Sequence, residues 1–143
     1  MPLNIRSVNP EDVQIIYTFI CDLEETTFDY ERFKQLYLQN IAEENHIYLV
    51  AEENSKVIGY LSCHGQNLLH HLGMVFEIQE MFVDAGQRGK GIGRKLVSEL
   101  ENRLRDRECC GVEVSSNATR TATHEFYVSC GFKKSHFKFT KAY

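Results

Sequence analysis

The chain has 143 residues, 43% hydrophobic and 25% charged, and a formal net charge of −4. That length holds one domain with a sizeable core, residues 1–143. The acidic balance argues against nucleic-acid binding, which goes with a basic excess, and no run approaches the ~20 apolar residues of a membrane span.

Leu3, Ile5 and Ser7 open a first strand. Pro10 starts a helix, where its missing N–H costs nothing, and Val13, Ile16, Tyr17 and Ile20 carry helical spacing to about Leu23. A second helix spans about Asp29 to Ile41, with Phe33, Leu36, Tyr37 and Ile41 as its apolar face. Ile47–Ala51 and Val57–Leu61 are β-rich runs joined by a polar hairpin turn, Glu52–Lys56. Gln66 to Gly73, with His70 and His71, has the composition of a loop, and Val75–Val83 is the next strand. Ile92, Leu96, Leu100 and Leu104 repeat every four residues, a buried stripe on a helix from Gly91 to about Arg105. Val112, Val114 and Ser116 alternate as a strand. Thr121 to Cys130 forms a short helix closed by Gly131. Phe132 to Lys141, where Phe137 and Phe139 alternate with charges, is expected as a terminal strand that self-pairs in a homodimer.

The five cysteines, Cys21, Cys63, Cys109, Cys110 and Cys130, include no C-x-x-C pair. The adjacent Cys109 and Cys110 disfavour an ordinary disulfide. Reduced thiols in a cytoplasmic protein are expected, and Met1 to Arg6 carry no apolar leader core.

The most informative segment is Arg88-Gly89-Lys90-Gly91-Ile92-Gly93-Arg94, between a strand and a helix. A glycine turn at a helix start presents free backbone N–H groups and the positive end of the helix dipole to a phosphate or pyrophosphate. Gly86 and Gly91 have P-loop separation, but Ile92 and Gly93 replace the required Lys-Ser/Thr. Gly89, Gly91 and Gly93 give G-x-G-x-G, with Arg94 in place of the last glycine of a dinucleotide fingerprint.

The R-x-x-G-x-G pattern of Arg88, Gly91 and Gly93 resembles the acetyl-coenzyme A signature of the GNAT N-acetyltransferases. The element order βαα-βββ-α-β-α-β matches that family's α/β fold, a mostly antiparallel twisted sheet flanked by helices, over a single N-acetyltransferase domain. Within the family, Phe28-Asp29-Tyr30, Glu77–Val83, His70-His71 and Ser135–Ala142 are similar to the aminoalkylphosphonate N-acetyltransferases of bacterial phosphonate metabolism. The resemblance implies acetyl-coenzyme A as cosubstrate, a small-molecule amine as acceptor, and assistance by a divalent metal. No ligand spacing singles out residues to hold such a metal.

Acetyl transfer from a thioester needs a neutral amine, a stabilised carbonyl oxygen and a protonated leaving thiol. Glu80 interrupts the apolar strand just before the glycine turn and is the candidate base. Alternation puts Glu80 and Phe82 on one face, Met81 and Val83 on the other, and Glu77, the weaker candidate, opposite Glu80. The backbone of Met81, Phe82 and Val83 is expected to meet the pantetheine arm as an added strand. Tyr127 is the candidate acid: a phenol protonates a thiolate, and the resemblance implies that role for a tyrosine just before Gly131-Phe132. The resemblance also implies that Asn117 bonds the pantetheine; a turn-forming role is equally open. His70, His71, His136, Lys138 and Arg120 are conceivable partners of a phosphonate. Polyamines and peptide N-termini remain alternative acceptors. A non-catalytic coenzyme A sensor is the rival class; it would not depend on Glu80 or Tyr127.

Overall fold

The computed structural model describes residues 2–143. Five strands form one sheet in chain order: β1 (Asn4–Ser7), β2 (His46–Glu53), β3 (Lys56–Leu68), β4 (Gly73–Val83) and β5 (Gly111–Val114). Every neighbouring pair is antiparallel except β4–β5. The helices are α1 (Val13–Glu24), α2 (Tyr30–Ile41), α3 (Ile92–Leu104) and α4 (Thr121–Ser129). Among the described residues, no helix is long and apolar enough to cross a membrane.

The sheet separates two cores. On one face the α3 stripe Ile92, Leu96, Leu100 and Leu104 meets Leu49, Leu61, Phe76 and Ile78, and Tyr127 of α4 joins them. On the other, Val13, Ile16 and Phe19 of α1 and Tyr37 of α2 cover Tyr48, Val50, Tyr60 and Phe82. The α3 stripe is buried as its periodicity marks, whereas α2 buries Tyr37, half-buries Phe33 and Ile41, and leaves Leu36, expected on the same face, 40% exposed. Asp29 starts α2 as a cap, its carboxylate accepting the Arg32 N–H at 2.9 Å.

Two sequence expectations change. Half of the stretch expected as loop is ladder: β3 runs on to Leu68, with Gln66 opposite Val75 and Leu68 opposite Gly73, while His70 and His71 stay in the turn between β3 and β4. Backbone pairing continues there because the polar side chains remain at the surface, where they lose no hydration. The terminal strand does not form. Among the described residues no strand follows β5, and Phe137 and Phe139 are 91% and 92% exposed. Alternation supplies a face for burial, but a strand also needs backbone pairing with an edge, and this segment pairs with none within its own chain.

Gly59 of β3 sets how closely α3 sits on the sheet. A Cβ there would lie 3.2 Å from Ile92 Cγ2, 3.3 Å from Leu96 Cδ1 and 3.4 Å from the Ala51 Cβ. Gly59→Val adds methyl groups where only backbone fits, and is expected to cost about 1–3 kcal/mol. Denaturant melts should show that loss, and coenzyme A affinity should fall with it, since Ile92 opens the helix behind the glycine turn.

Candidate active site

The site grows from an irregularity in β4. Ser62 of β3 pairs with Glu80, but its neighbour Cys63 pairs with Ile78, so Gln79 is an extra residue without a partner on β3. Such a bulge shifts strand parity by one. Phe76 and Ile78 face the α3 core, and so do Met81 and Val83, whereas Phe82 faces the α1–α2 core. Glu77, opposite His64, therefore shares a face with Glu80 rather than opposing it. The alternation expected for Glu80, Phe82, Met81 and Val83 holds because all four lie after the bulge. The expectation for Glu77 fails because it lies before it.

The same point opens the sheet. The parallel ladder to β5 covers Val75 to Ile78 only, and β4 continues through Val83. The Gln79–Val83 edge that faces away from β3 thus lacks a strand partner, a template for an added extended chain. The Val83 carbonyl accepts from Arg88 Nε at 2.9 Å.

Behind this edge the chain enters the glycine turn. Gly89 and Gly91 have φ of +81° and +79°, and a Cβ at either would meet nothing within 4 Å. That backbone shape favours glycine, and the clear space admits a ligand. Lys95 N–H to Gly91 is the first bond of α3, so the N–H groups of Ile92, Gly93 and Arg94 have no carbonyl within the helix. The side chains divide the remaining tasks. Ile92 is buried and offers only backbone. Arg88 lies over the Phe82 ring at 5.2 Å, and Lys90 donates to Gln87 at 3.0 Å. Arg94 holds Ser129 of α4 through Oγ at 2.7 Å. Phe82 points into the α1–α2 core, its ring tilted 31° against that of Phe19 at 4.9 Å, so it too offers only backbone. A Cβ on Gly93 would touch Phe126 of α4 at 3.2 Å and Met81 at 3.7 Å. The turn, α4 and the open edge therefore converge.

Glu80 is half-buried, and both Ser62 Oγ and Tyr60 Oη donate to its Oε1, the latter at 3.3 Å. Among the described residues nothing donates to Oε2. Burial raises the Glu80 carboxyl above the ordinary range despite the two donors, and the charge of Glu24 adds to the rise. Tyr60 and Ser62, fully buried, are partners that sequence reasoning missed. A serine inside the apolar run Leu61-Ser62-Cys63 was the available signal.

Tyr127 lies on the other face, in the α3 core, its ring packed edge-on against Phe126 and Phe132. Burial pushes its phenol up to about 12, with Arg120 acting in the opposite direction. The phenol oxygen makes no hydrogen bond among the described residues, and it is not a sealed, unsatisfied group. Glu80 and Tyr127 thus approach the open edge from opposite faces of the sheet. The end of α1 connects the two sides: Glu24 acts on Glu80, and Arg120, which acts on Tyr127, donates to the Leu23 carbonyl at 3.0 Å.

Asn117 is engaged in a turn, its Oδ1 accepting from Thr119 N at 2.9 Å and Thr119 Oγ1 at 2.7 Å, which leaves its amide NH2 for a ligand. The histidines do not gather. His70 and His71 sit at the β3–β4 turn, with His71 4.0 Å from Glu113, and His136 and Lys138 are exposed in the C-terminal segment. His46 and His64 stack at 3.7 Å, and burial drops His64 to about 4, so it stays neutral at pH 7. Among the described residues no group of three or more His, Cys, Asp or Glu could hold a metal ion. The residues present do not fit a resident metal. A cavity of about 730 Å³, lined by Cys21, Asp22, Glu25, Thr26 and Thr27, touches neither Glu80 nor Tyr127.

The model of the "Acetyltransferase (GNAT) family" matches residues 14–132. An aminoalkylphosphonate N-acetyltransferase of Salmonella typhimurium is 37% identical over 143 residues, covering 99% of this chain and 93% of the relative. Among solved structures, a transcriptional regulator from Bacillus halodurans superposes with a TM-score of 0.91 at 20% identity, covering 99% of this chain and all of the other. The aminoglycoside N-acetyltransferase AAC(6')-Iy, solved with coenzyme A, superposes at 0.88 and 12% identity, covering 99% of this chain and 95% of the other. The chain belongs to the GNAT acetyltransferase family and is an acetyl-coenzyme A-dependent N-acetyltransferase.

Proposed function

We propose that this enzyme acetylates the amine of a small aminoalkylphosphonate, with Glu80 as base and Tyr127 as acid. The observation that carries the mechanism is the bulge at Gln79, which presents Glu80 and the open β4 edge at the same place. The nearly full-length match to the Salmonella enzyme supports the acceptor class.

In this reading the N–H groups of the glycine turn and of Ile92, Gly93 and Arg94 hold the pyrophosphate. Met81 and Val83 pair with the pantetheine through backbone, and the Asn117 amide bonds its far side. Glu80 Oε2 takes a proton from the acceptor ammonium, directly or through a water. The freed nitrogen lone pair attacks the thioester carbon, and a backbone N–H of the open edge stabilises the carbonyl oxygen. As the C–N bond forms, the C–S bond breaks, the new amide nitrogen loses its second proton to water, and Tyr127 gives its proton to the departing sulfur. Solvent then reprotonates Tyr127 and takes the proton from Glu80. A phenol raised to about 12 stays protonated, and so able to donate, throughout the working range. A carboxyl raised above its ordinary value is a better proton acceptor than a surface glutamate. Arg120 is the cation placed between Tyr127 and the end of α1, and is assigned to the phosphonate.

Tyr127→Phe is expected to lower kcat by about 10²–10⁴ and leave the calorimetric Kd for acetyl-coenzyme A almost unchanged. Wild-type turnover in this variant would remove Tyr127 from the mechanism.

Glu80→Gln should reduce kcat to a similar extent and erase the acidic limb of the rate profile, which in the wild type titrates above the ordinary glutamate range. Stability should move the other way. A carboxyl whose folded pKa is raised stabilises fully only below its unfolded pKa, and that contribution disappears as pH rises through the folded value. Removing the charge should therefore raise Tm at pH 7, with the gain vanishing at acidic pH. Thermal melts across pH read this directly, and a lower Tm at pH 7 would contradict the burial argument.

Thiol release with aminomethylphosphonate, 1-aminoethylphosphonate, spermidine and a short peptide tests the acceptor. The phosphonates should lead, and Arg120→Ala should raise their KM by about 10-fold or more, as loss of a charged hydrogen bond predicts. The KM for acetyl-coenzyme A should hold. A tenfold higher kcat/KM for spermidine or the peptide would overturn the acceptor assignment while leaving the acetyltransferase intact.

A further inference from the structure

Besides the tyrosines, two polar or charged side chains are buried among the described residues, Asp12 and Ser62. Asp12 is paired with Arg6 at 2.9 Å. Ser62 is 0% exposed, and its hydroxyl bonds Glu80 twice. The Glu80 N–H donates to Ser62 Oγ at 3.1 Å, and Ser62 Oγ donates its own proton to Glu80 Oε1. One oxygen atom on β3 thus grips both the main chain and the side-chain end of the same residue. Ser62 is opposite Glu80 in the register, and the next residue, Cys63, is already opposite Ile78, so the grip closes over the bulged Gln79.

A free glutamate side chain spreads over many rotamers. Tying both of its ends to Ser62 sets those torsions before any acceptor arrives. Tyr60, 1% exposed, gives Oε1 a second donor at 3.3 Å. An oxygen that already accepts two hydrogen bonds is the poorer base of the pair, and Oε2, with no donor among the described residues, is the better one. Around this carboxylate stand Tyr60 of β3, Tyr48 of β2, Tyr37 of α2 behind Tyr60, Glu24 at the end of α1 and Glu77 on the same face of β4. Burial pushes all three phenols up, Tyr48 to about 12, so they stay neutral. Burial and the charge of Glu24 raise the Glu80 carboxyl, and the Ser62 and Tyr60 hydroxyls draw it back down.

We propose that Ser62 is a positioning residue of the acetyl transfer: its hydroxyl locks the bulge and the Glu80 side chain together, occupies Oε1, and leaves Oε2 as the oxygen that takes the acceptor's proton. Tyr60 is the second donor in this role. The proposal rests on Glu80 being the base.

The test follows kcat against pH and, in the same proteins, the titration of the Glu80 carboxyl by carboxyl-carbon NMR. Ser62→Cys keeps nearly the size of serine and substitutes a weak donor. The acidic limb and the carboxyl titration should then move up together by about one pH unit or more, as loss of a hydrogen bond to a charged group predicts. Plateau kcat should fall by about 10-fold as the carboxylate loosens, with the KM for acetyl-coenzyme A held. Ser62→Thr retains the hydroxyl and should retain the wild-type limb. Tyr60→Phe loses a longer bond and should move the limb the same way by less; it carries the test if Ser62→Cys does not fold. A Ser62→Cys protein with a lowered Tm but an unmoved carboxyl titration would reduce Ser62 to a packing residue and overturn the proposal. A carboxyl titration that moves while the rate profile stays would instead remove Glu80 as the base, and the catalytic role of Ser62 with it. In the Glu80→Gln background Ser62→Cys should cost no further rate, and a full further 10-fold loss there would also refute the proposal.

Discussion

One inserted residue organises the site. Gln79 has no partner on β3, so the two halves of β4 send residues of the same numerical parity to opposite faces. Before the bulge, even positions such as Phe76 and Ile78 build the α3 core. After it, Glu80 and Phe82 face α1 and α2. The β4–β5 ladder stops at Ile78, so the bulge coincides with the place where the sheet parts. Without the shift, an even-numbered carboxylate would fall among α3 side chains, where its charge would lack partners.

The two groups proposed to move protons are shaped by burial in ways that suit opposite tasks. Glu80 is half-buried, with Ser62 and Tyr60 holding Oε1 and leaving Oε2 unbonded by the protein. Desolvation raises its proton affinity, while the donors keep the rise within reach of solution pH. Tyr127 is raised by desolvation as well, and for a phenol that only secures the protonated form. A charged Glu80 in this setting opposes folding, a conflict between stability and chemistry common at active sites.

The geometry of the glycine turn, proposed to hold the pyrophosphate, depends on how closely α3 can approach. Gly59 removes a side chain under Ile92 and Leu96, letting the helix settle on β3, and Gly91 turns the chain so that the first N–H groups of α3 face outward. Arg94 and Phe126 then couple α3 to α4, which carries Tyr127. Arg88 and Lys90 add positive charge at the turn, and their side chains brace it against Val83, Phe82 and Gln87. That division is chemically reasonable, because a fixed set of backbone donors binds an anion without first ordering long side chains.

The features legible in the sequence were local ones. The glycine turn, the four-residue stripe of α3 and the Gly131 stop each rest on residues close along the chain, whose backbone preferences act over a few positions. The placement of Glu80 beside the turn followed from the same short span. Tertiary structure decided what depends on a partner strand. The bulge that moved Glu77 to the face of Glu80 exists only in the register between β3 and β4. The Ser62 and Tyr60 donors, 18 and 20 residues away in sequence, reach Glu80 only once the strands pair. The final segment kept its strand-like alternation but not its strand, because alternation is a property of residues and a strand exists only where its backbone pairs with an edge, which this segment does not do within its own chain.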